Sequence, residues 1–143
     1  MITQYGVLAY RVAEGGEPLI LLVTSRDTRR WVIPRGNPVV GLPPPASAAE
    51  EAYEEAGVRG ETQPRELGSY RYRKRRRFGS VPAEVYVFPM RVTEELEEWP
   101  EQAERERRWF ARAEAAAAVD EQDLAALISS FDPLSSPGRA DDG

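Results

Sequence analysis

The segment from Arg35 to Pro45, RGNPVVGLPPP, holds four prolines and two glycines, so no regular helix or strand can run through it. Whatever this chain folds into must carry an irregular loop here. A short apolar run, Trp31-Val32-Ile33, enters it and stops at Pro34. A compact helix leaves it: Pro44 and Pro45 suit a first helical turn, where a missing N–H costs nothing. Ala46 to Ala56 is rich in helix formers, and Gly57 is placed to cap the C-terminus. The apolar side of this helix reads as Ala49, Ala52, Tyr53 and Ala56. Glu51, Glu54 and Glu55 lie mostly opposite, at the i, i+3, i+4 spacing that shares one face. Like charges at that spacing cost a few tenths of a kcal/mol per pair, and a divalent cation would reverse the sign. The alternative is a solvated acidic helix face.

Strand signals surround this unit. Tyr5 to Val12 alternates, Glu14-Gly15-Gly16-Glu17-Pro18 is a turn, and Leu19 to Thr24 is a continuous apolar run, which together predict a hairpin. Leu67 to Tyr72 and Ala83 to Val92 read as two further strands, joined by the basic stretch Arg73 to Ser80. Glu94 to Glu101 is an acidic connector around Trp99. Arg108 to Ala111 is a last short strand, followed by helices over Ala113 to Val119 and Gln122 to Ser129. One helix inserted early among strands, with helices at the end, predicts a single α+β domain over residues 1–131. Residues 132–143, rich in Pro, Ser and Gly, read as a disordered tail.

The 143 residues include no cysteine and no histidine. That excludes disulfides, thiol chemistry, an imidazole base and His-ligated zinc, so any metal is held by oxygen: Mg²⁺, Mn²⁺ or Ca²⁺. A net charge of -5 argues against nucleic-acid binding through bulk positive field. The N-terminus lacks a basic region followed by an apolar core, and no apolar run approaches a membrane span. The expectation is a soluble, cytoplasmic protein without a membrane or specific nucleic-acid partner.

From Gly36 to Val58 the spacing resembles the Nudix box, G-x5-E-x7-R-E-U-x-E-E-x-G-U, where U is a bulky aliphatic. Gly36 matches the opening glycine, and Glu51, Glu54, Glu55, Gly57 and Val58 match the closing half. With Arg30-Trp31 ahead of the box, the Glu51 to Gly60 stretch and the late Arg107-Arg108-Trp109-Phe110, the chain looks like the diphosphoinositol-polyphosphate phosphohydrolase branch over roughly Tyr5 to Ile128. Two positions depart from the box. Its first glutamate falls at Leu42, and its arginine, which orients the metal-binding glutamates in the family, falls at Glu50. A carboxylate cannot do what a guanidinium does there.

The resemblance implies a Nudix fold, a mixed β-sheet sandwiched between α-helices. It also implies hydrolysis of phosphoanhydrides in a polyphosphorylated small molecule. A diphosphoinositol polyphosphate or a dinucleoside polyphosphate comes first, with nucleoside triphosphate, nucleotide-sugar or RNA 5′-end pyrophosphohydrolysis as alternatives. Glu51, Glu54 and Glu55 would be both metal ligands and catalytic residues, with Mg²⁺ (or Mn²⁺) as cofactor. Such a cation neutralises phosphate charge and acidifies a bound water, so no protein nucleophile is needed. The base could be Glu55 or a loop glutamate such as Glu104. Ser25, Arg26, Arg35 and Gly36 are expected at the phosphates. A catalytically weakened Nudix domain that binds a phosphorylated ligand is the reading from another class, motivated by Leu42 and Glu50.

The basic cluster Arg71, Arg73, Lys74, Arg75, Arg76 and Arg77 reads either as a phosphate dock or as a solvated hairpin loop. Along a strand Arg71 and Arg73 share one face and Tyr70 and Tyr72 the other, so at most one set faces a cleft. Arg71 and Arg73 are the substrate-binding candidates. Trp31 and Trp109 read as core, whereas Trp99 could stack on a base.

Overall fold

A computed structural model describes residues 1–133. The chain runs β1 (Ile2–Val12), β2 (Pro18–Thr24), β3 (Trp31–Val32), β4 (Arg35–Gly36), α1 (Pro44–Ala56), β5 (Val58–Thr62), β6 (Gly68–Arg75), β7 (Ser80–Glu95), β8 (Arg107–Ala111), α2 (Arg112–Ala118) and α3 (Gln122–Ser130). The expected tail lies outside the described residues except for Asp132 and Pro133, of which Pro133 is buried.

Two long strands form the middle of the sheet. β1 and β7 are parallel, in register from Ile2 opposite Ala83 to Tyr10 opposite Arg91. Each takes two antiparallel partners along its length. β1 pairs with β4 near Tyr5 and with β2 near Tyr10, while β7 pairs with β6 over its first half and β5 over its second. β8 and β3 extend β2 outward.

The period-2 alternation of the strands sorts their side chains onto two faces. Leu8, Tyr10, Ile20, Leu22, Val85, Val87 and Phe110 pack with Leu124 and Ile128 of α3 and Ala115 of α2. Val7, Ala9, Leu21, Val23, Phe88 and Met90 pack against α1 on the other face. Apolar residues on both faces are what a sheet covered on both sides requires. The fold is the expected α+β sandwich.

α1 contributes a stripe of small residues, Ala48, Ala52 and Ala56, all fully buried. Their size lets the helix lie close on the sheet. The stripe differs from the expected one, because Ala49 and Tyr53 are only half buried while Ser47 and Glu55 are buried. Tyr53 instead carries the Arg59 guanidinium 4.1 Å from its ring centre. This rotation of the helix brings Glu55 inward. Gly57 ends the helix in the left-handed region at φ 65°, its N–H returning to the carbonyls of Ala52 and Tyr53.

Two strands escaped the sequence reading. Arg35–Gly36, inside the proline-rich loop, forms a two-residue strand that docks the loop's first residues on β1. β5 follows Gly57 directly and pairs with the end of β7, bulging at Arg59/Gly60. The basic hairpin is also more regular than expected, since pairing continues to Arg75 opposite Ser80. Among the described residues no helix is long and apolar enough to cross a membrane.

Candidate active site

A cleft of about 490 Å³ opens between β4, the start of the loop after it, the C-terminal half of α1, the hairpin strand β6 and the 100–106 loop. The fold brings Ser25, Arg26, Arg35, Gly36, Glu51, Glu55 and Arg73 to its wall. It does not bring Glu54 or Arg71 there. Glu54 is half buried, and its carbonyl accepts a hydrogen bond from the Glu101 N–H. Arg71 points away and lies 4.0 Å from Glu84. The loop residue Glu104 is an exposed partner of Arg26 at 3.1 Å, outside the lining.

Glu55 is only 7% exposed. Its Oε1 accepts the Arg35 N–H at 3.3 Å, and its Oε2 lies 3.3 Å from an Arg105 guanidinium nitrogen. Glu51, one helical turn earlier, reaches the same space beside Gly36. Burial, then Glu55, then Glu54 push the Glu51 carboxyl up to about 8. Burial likewise raises Glu55, although the Arg105 charge and the Arg35 N–H pull the other way. Two carboxyl groups forced together in a half-dry site hold a proton that exposed glutamates would release.

This donor set fits a divalent cation of the hard, oxygen-seeking kind. Among the described residues no three acidic side chains close into a cage. Mg²⁺ needs no such cage, because it is held by one or two carboxylates with substrate phosphates and water completing the octahedron. Glu51 and Glu55 would hold it, and a cation bound there would polarise phosphate and supply a nucleophilic water.

The opposite wall is cationic. The Arg35 guanidinium lies 3.8 Å from the Tyr72 ring centre and donates to the Tyr70 hydroxyl oxygen at 3.0 Å. Tyr72 in turn donates to Gln4 at 2.6 Å, and Gln4 to Asn37 at 3.1 Å, so the platform under Arg35 is itself fixed. Lys74 and Arg75 reach the rim from β6, while Arg73 is tied to Ser80. Ser25 Oγ lies 2.8 Å from Thr28 Oγ1 and accepts the Arg30 N–H, shaping the turn that presents Arg26 and Arg30. Among the lining side chains basic groups outnumber acidic ones, although the whole chain is acidic.

Several lining residues were not singled out from the sequence: Gln4, Arg30, Asn37, Glu101 and Arg105. Arg105 sits in the run Glu104 to Arg108, where nothing separates it from its charged neighbours. The tryptophans do not reach the cleft. Trp31 packs edge-on against Phe110 at 5.0 Å, and Trp109 packs against the α1-side core. Trp99 donates from its indole N–H to the Glu55 carbonyl at 3.2 Å, beneath the Arg107 guanidinium at 4.0 Å.

The NUDIX domain family matches this chain over residues 2–131. The chain belongs to the Nudix family. Its relatives include the mitochondrial Nudix hydrolase 12 of Arabidopsis thaliana, 37% identical over 102 residues, covering 67% of this chain and 49% of that protein. Mouse diphosphoinositol polyphosphate phosphohydrolase 3-alpha is 35% identical over 100 residues, covering 68% of this chain and 57% of its own length. The chain thus spans about half the length of these curated relatives. Among solved structures, a Caenorhabditis elegans Ap4A hydrolase in a binary complex superposes with a TM-score of 0.66 at 16% identity, over 90% of this chain and 93% of that one. That likeness is one of fold. Nudix hydrolases generally use divalent metal ions. In this Nudix chain the box spans the loop and α1 that carry the paired glutamates of the cleft.

Proposed function

We propose that this Nudix domain is a Mg²⁺- or Mn²⁺-dependent hydrolase of phosphoanhydride bonds in a polyphosphorylated small molecule. One observation carries the reading: the Glu51 and Glu55 pair and a wall of arginines and lysine face each other across one cleft. The carboxylates suit the cation, and the basic wall suits several phosphates at once, through bidentate arginine pairing. Diphosphoinositol polyphosphates and dinucleoside polyphosphates are the first substrates, because relatives and a fold neighbour carry those names. Arg35, fixed on Tyr70 and Tyr72, positions a phosphate next to the metal-binding pair. Arg26, Arg73 and Lys74 hold the outer phosphates, and Ser25 and Gly36 border them. Glu54 joins Glu51 and Glu55 in the catalytic set only if its side chain turns toward the cleft when cation and substrate bind. A cytoplasmic setting is part of this proposal.

The test is phosphate release from a panel of these compounds, with Mg²⁺, with Mn²⁺ and with chelator. Release that needs the cation and vanishes in Glu51→Gln supports the reading. The competing reading, a Nudix domain that binds without turnover, draws on the position of Glu54 outside the cleft wall and on Leu42 and Glu50 in the box. A panel that stays silent while a polyphosphate still raises Tm would decide for it.

A further inference from the structure

We infer that Arg105 is the positioning residue for Glu55, taking over from outside the box the task that Glu50 cannot perform. The inference rests on the proposed function of the same cleft. The box position that carries arginine in the family is Glu50, and Glu50 forms no salt bridge among the described residues. Glu55 nonetheless has a guanidinium beside it, delivered from fifty residues downstream.

Arg105 is held at every edge of its planar fork. One terminal nitrogen lies 3.3 Å from Glu55, Nε donates to Glu101 at 2.7 Å, and the other terminal nitrogen donates to the Thr24 carbonyl at 3.1 Å. Its side chain is 8% exposed and that of Glu55 9%, so solvent screens the pair little. A guanidinium fixed by two other partners cannot follow a wandering carboxylate; it dictates where the carboxylate sits.

The loop that carries Arg105 is clamped to the same helix and strand. Glu101 N–H donates to the Glu54 carbonyl, and Thr24 Oγ1 accepts the Glu106 N–H at 2.9 Å. Arg107 caps the end of α1, donating to the carbonyls of Ala56 and Gly57. The loop is therefore anchored on both sides of Arg105, to α1 through Glu101 before it and to β2 and the end of α1 through Glu106 and Arg107 after it. Without Arg105 the carboxyl groups of Glu51, Glu55 and Glu101 would share one recess without its counter-charge.

The experiment uses the full chain and reads Mn²⁺ affinity by the loss of the free-ion EPR signal, without substrate, alongside kcat and KM. Arg105→Gln should weaken Mn²⁺ binding by about 10- to 100-fold, the range for losing a residue that orients a metal ligand, and should lower kcat more than it raises KM. Arg105→Lys, which keeps the charge without the fork, should lose several-fold. Should Arg105→Gln fail to fold by circular dichroism, the lysine variant is read in its place. Glu50→Arg added to the weakened variant should restore Mn²⁺ affinity, because it returns a guanidinium to the box.

Wild-type Mn²⁺ affinity in these Arg105 variants, or a rise in KM alone, would overturn the inference and make Arg105 a substrate contact or a strut. Absence of rescue by Glu50→Arg would overturn the equivalence of the two positions. Glu55→Gln separates the levels. If it binds Mn²⁺ like wild type, the metal site itself is misread; if it loses Mn²⁺ while Arg105→Gln does not, only the role of Arg105 falls.

Discussion

A Cβ added to Gly36 would overlap the carboxyl group of Glu51, so the glycine is the floor on which that carboxylate rests. The obstacle is the free end of a side chain rather than backbone, and Gly36 has no positive φ. Gly36→Ala should therefore fold with nearly unchanged Tm while swinging Glu51 away from Glu55. A misplacement of about 1 Å costs catalysis on the order of 100-fold. The expected outcome is a fall in kcat/KM of that size with a native thermal transition. A large loss of stability instead would mean that the loop, and not the carboxylate, gives way.

The crowding of Glu51 and Glu55 should also be visible in stability against pH. An unfolded glutamate titrates near its ordinary value of about 4.3, whereas folded Glu51 is pushed up to about 8. Between those values the folded protein holds a proton that the unfolded chain has released, so raising the pH favours unfolding. In chelator, the contribution of this pair is fully present below about pH 4 and is lost as pH rises toward 8. Mg²⁺ held by the pair would displace the proton, so its Tm increment should grow from pH 5.5 to pH 8. Differential scanning fluorimetry across that window checks both slopes, and Glu51→Gln should flatten the first.

Much of this was legible in the residues themselves. Proline and glycine marked the loop, the i, i+3, i+4 glutamates marked the helix, and the apolar alternation marked the long strands, because each signal is local. What stayed hidden depends on contacts far apart in sequence. Arg35 and Gly36 form a strand only because β1 offers an edge, and β5 exists only because β7 runs on to Glu95. The rotation of α1 that buries Glu55 is set by how closely Ala48, Ala52 and Ala56 approach the sheet. Arg105 is the extreme case, since its partners Thr24 and Glu55 lie 81 and 50 residues away and one charged run looks like another.

The basic hairpin divides along its length, Arg73, Lys74 and Arg75 near its tip lining the cleft and Arg71 lying outside it. Lys74 lies on the wall, and Arg71 faces away toward Glu84. Lys74→Ala should raise KM for a polyphosphate several-fold and weaken its salt dependence, since a screened contact to phosphate has been removed. Arg71→Ala should stay within about twofold, as expected for a surface ion pair. Initial rates at two ionic strengths distinguish them. Equal effects would mean that the substrate wraps round the outer face of β6.

The seat of Arg35 should set how tightly the cleft holds phosphate. Tyr70 is 1% exposed, and burial pushes its hydroxyl up to about 12, so at neutral pH it stays a neutral acceptor for the Arg35 guanidinium. Tyr70→Phe keeps the ring in the core and removes only that acceptor, leaving a guanidinium nitrogen short of a partner in a half-dry site. Such a loss costs about 1–3 kcal/mol. The cation–π contact with Tyr72 survives and limits how far Arg35 can stray. Tyr72→Leu removes the ring as well as the hydroxyl that holds Gln4, so it should loosen Arg35 and Asn37 together. Phosphate binding should then weaken in the order wild type, Tyr70→Phe, Tyr72→Leu, read as KM for the same substrate. If Tyr72→Leu proves the milder change, the hydroxyl of Tyr70 rather than the face of Tyr72 is what aims Arg35 into the cleft.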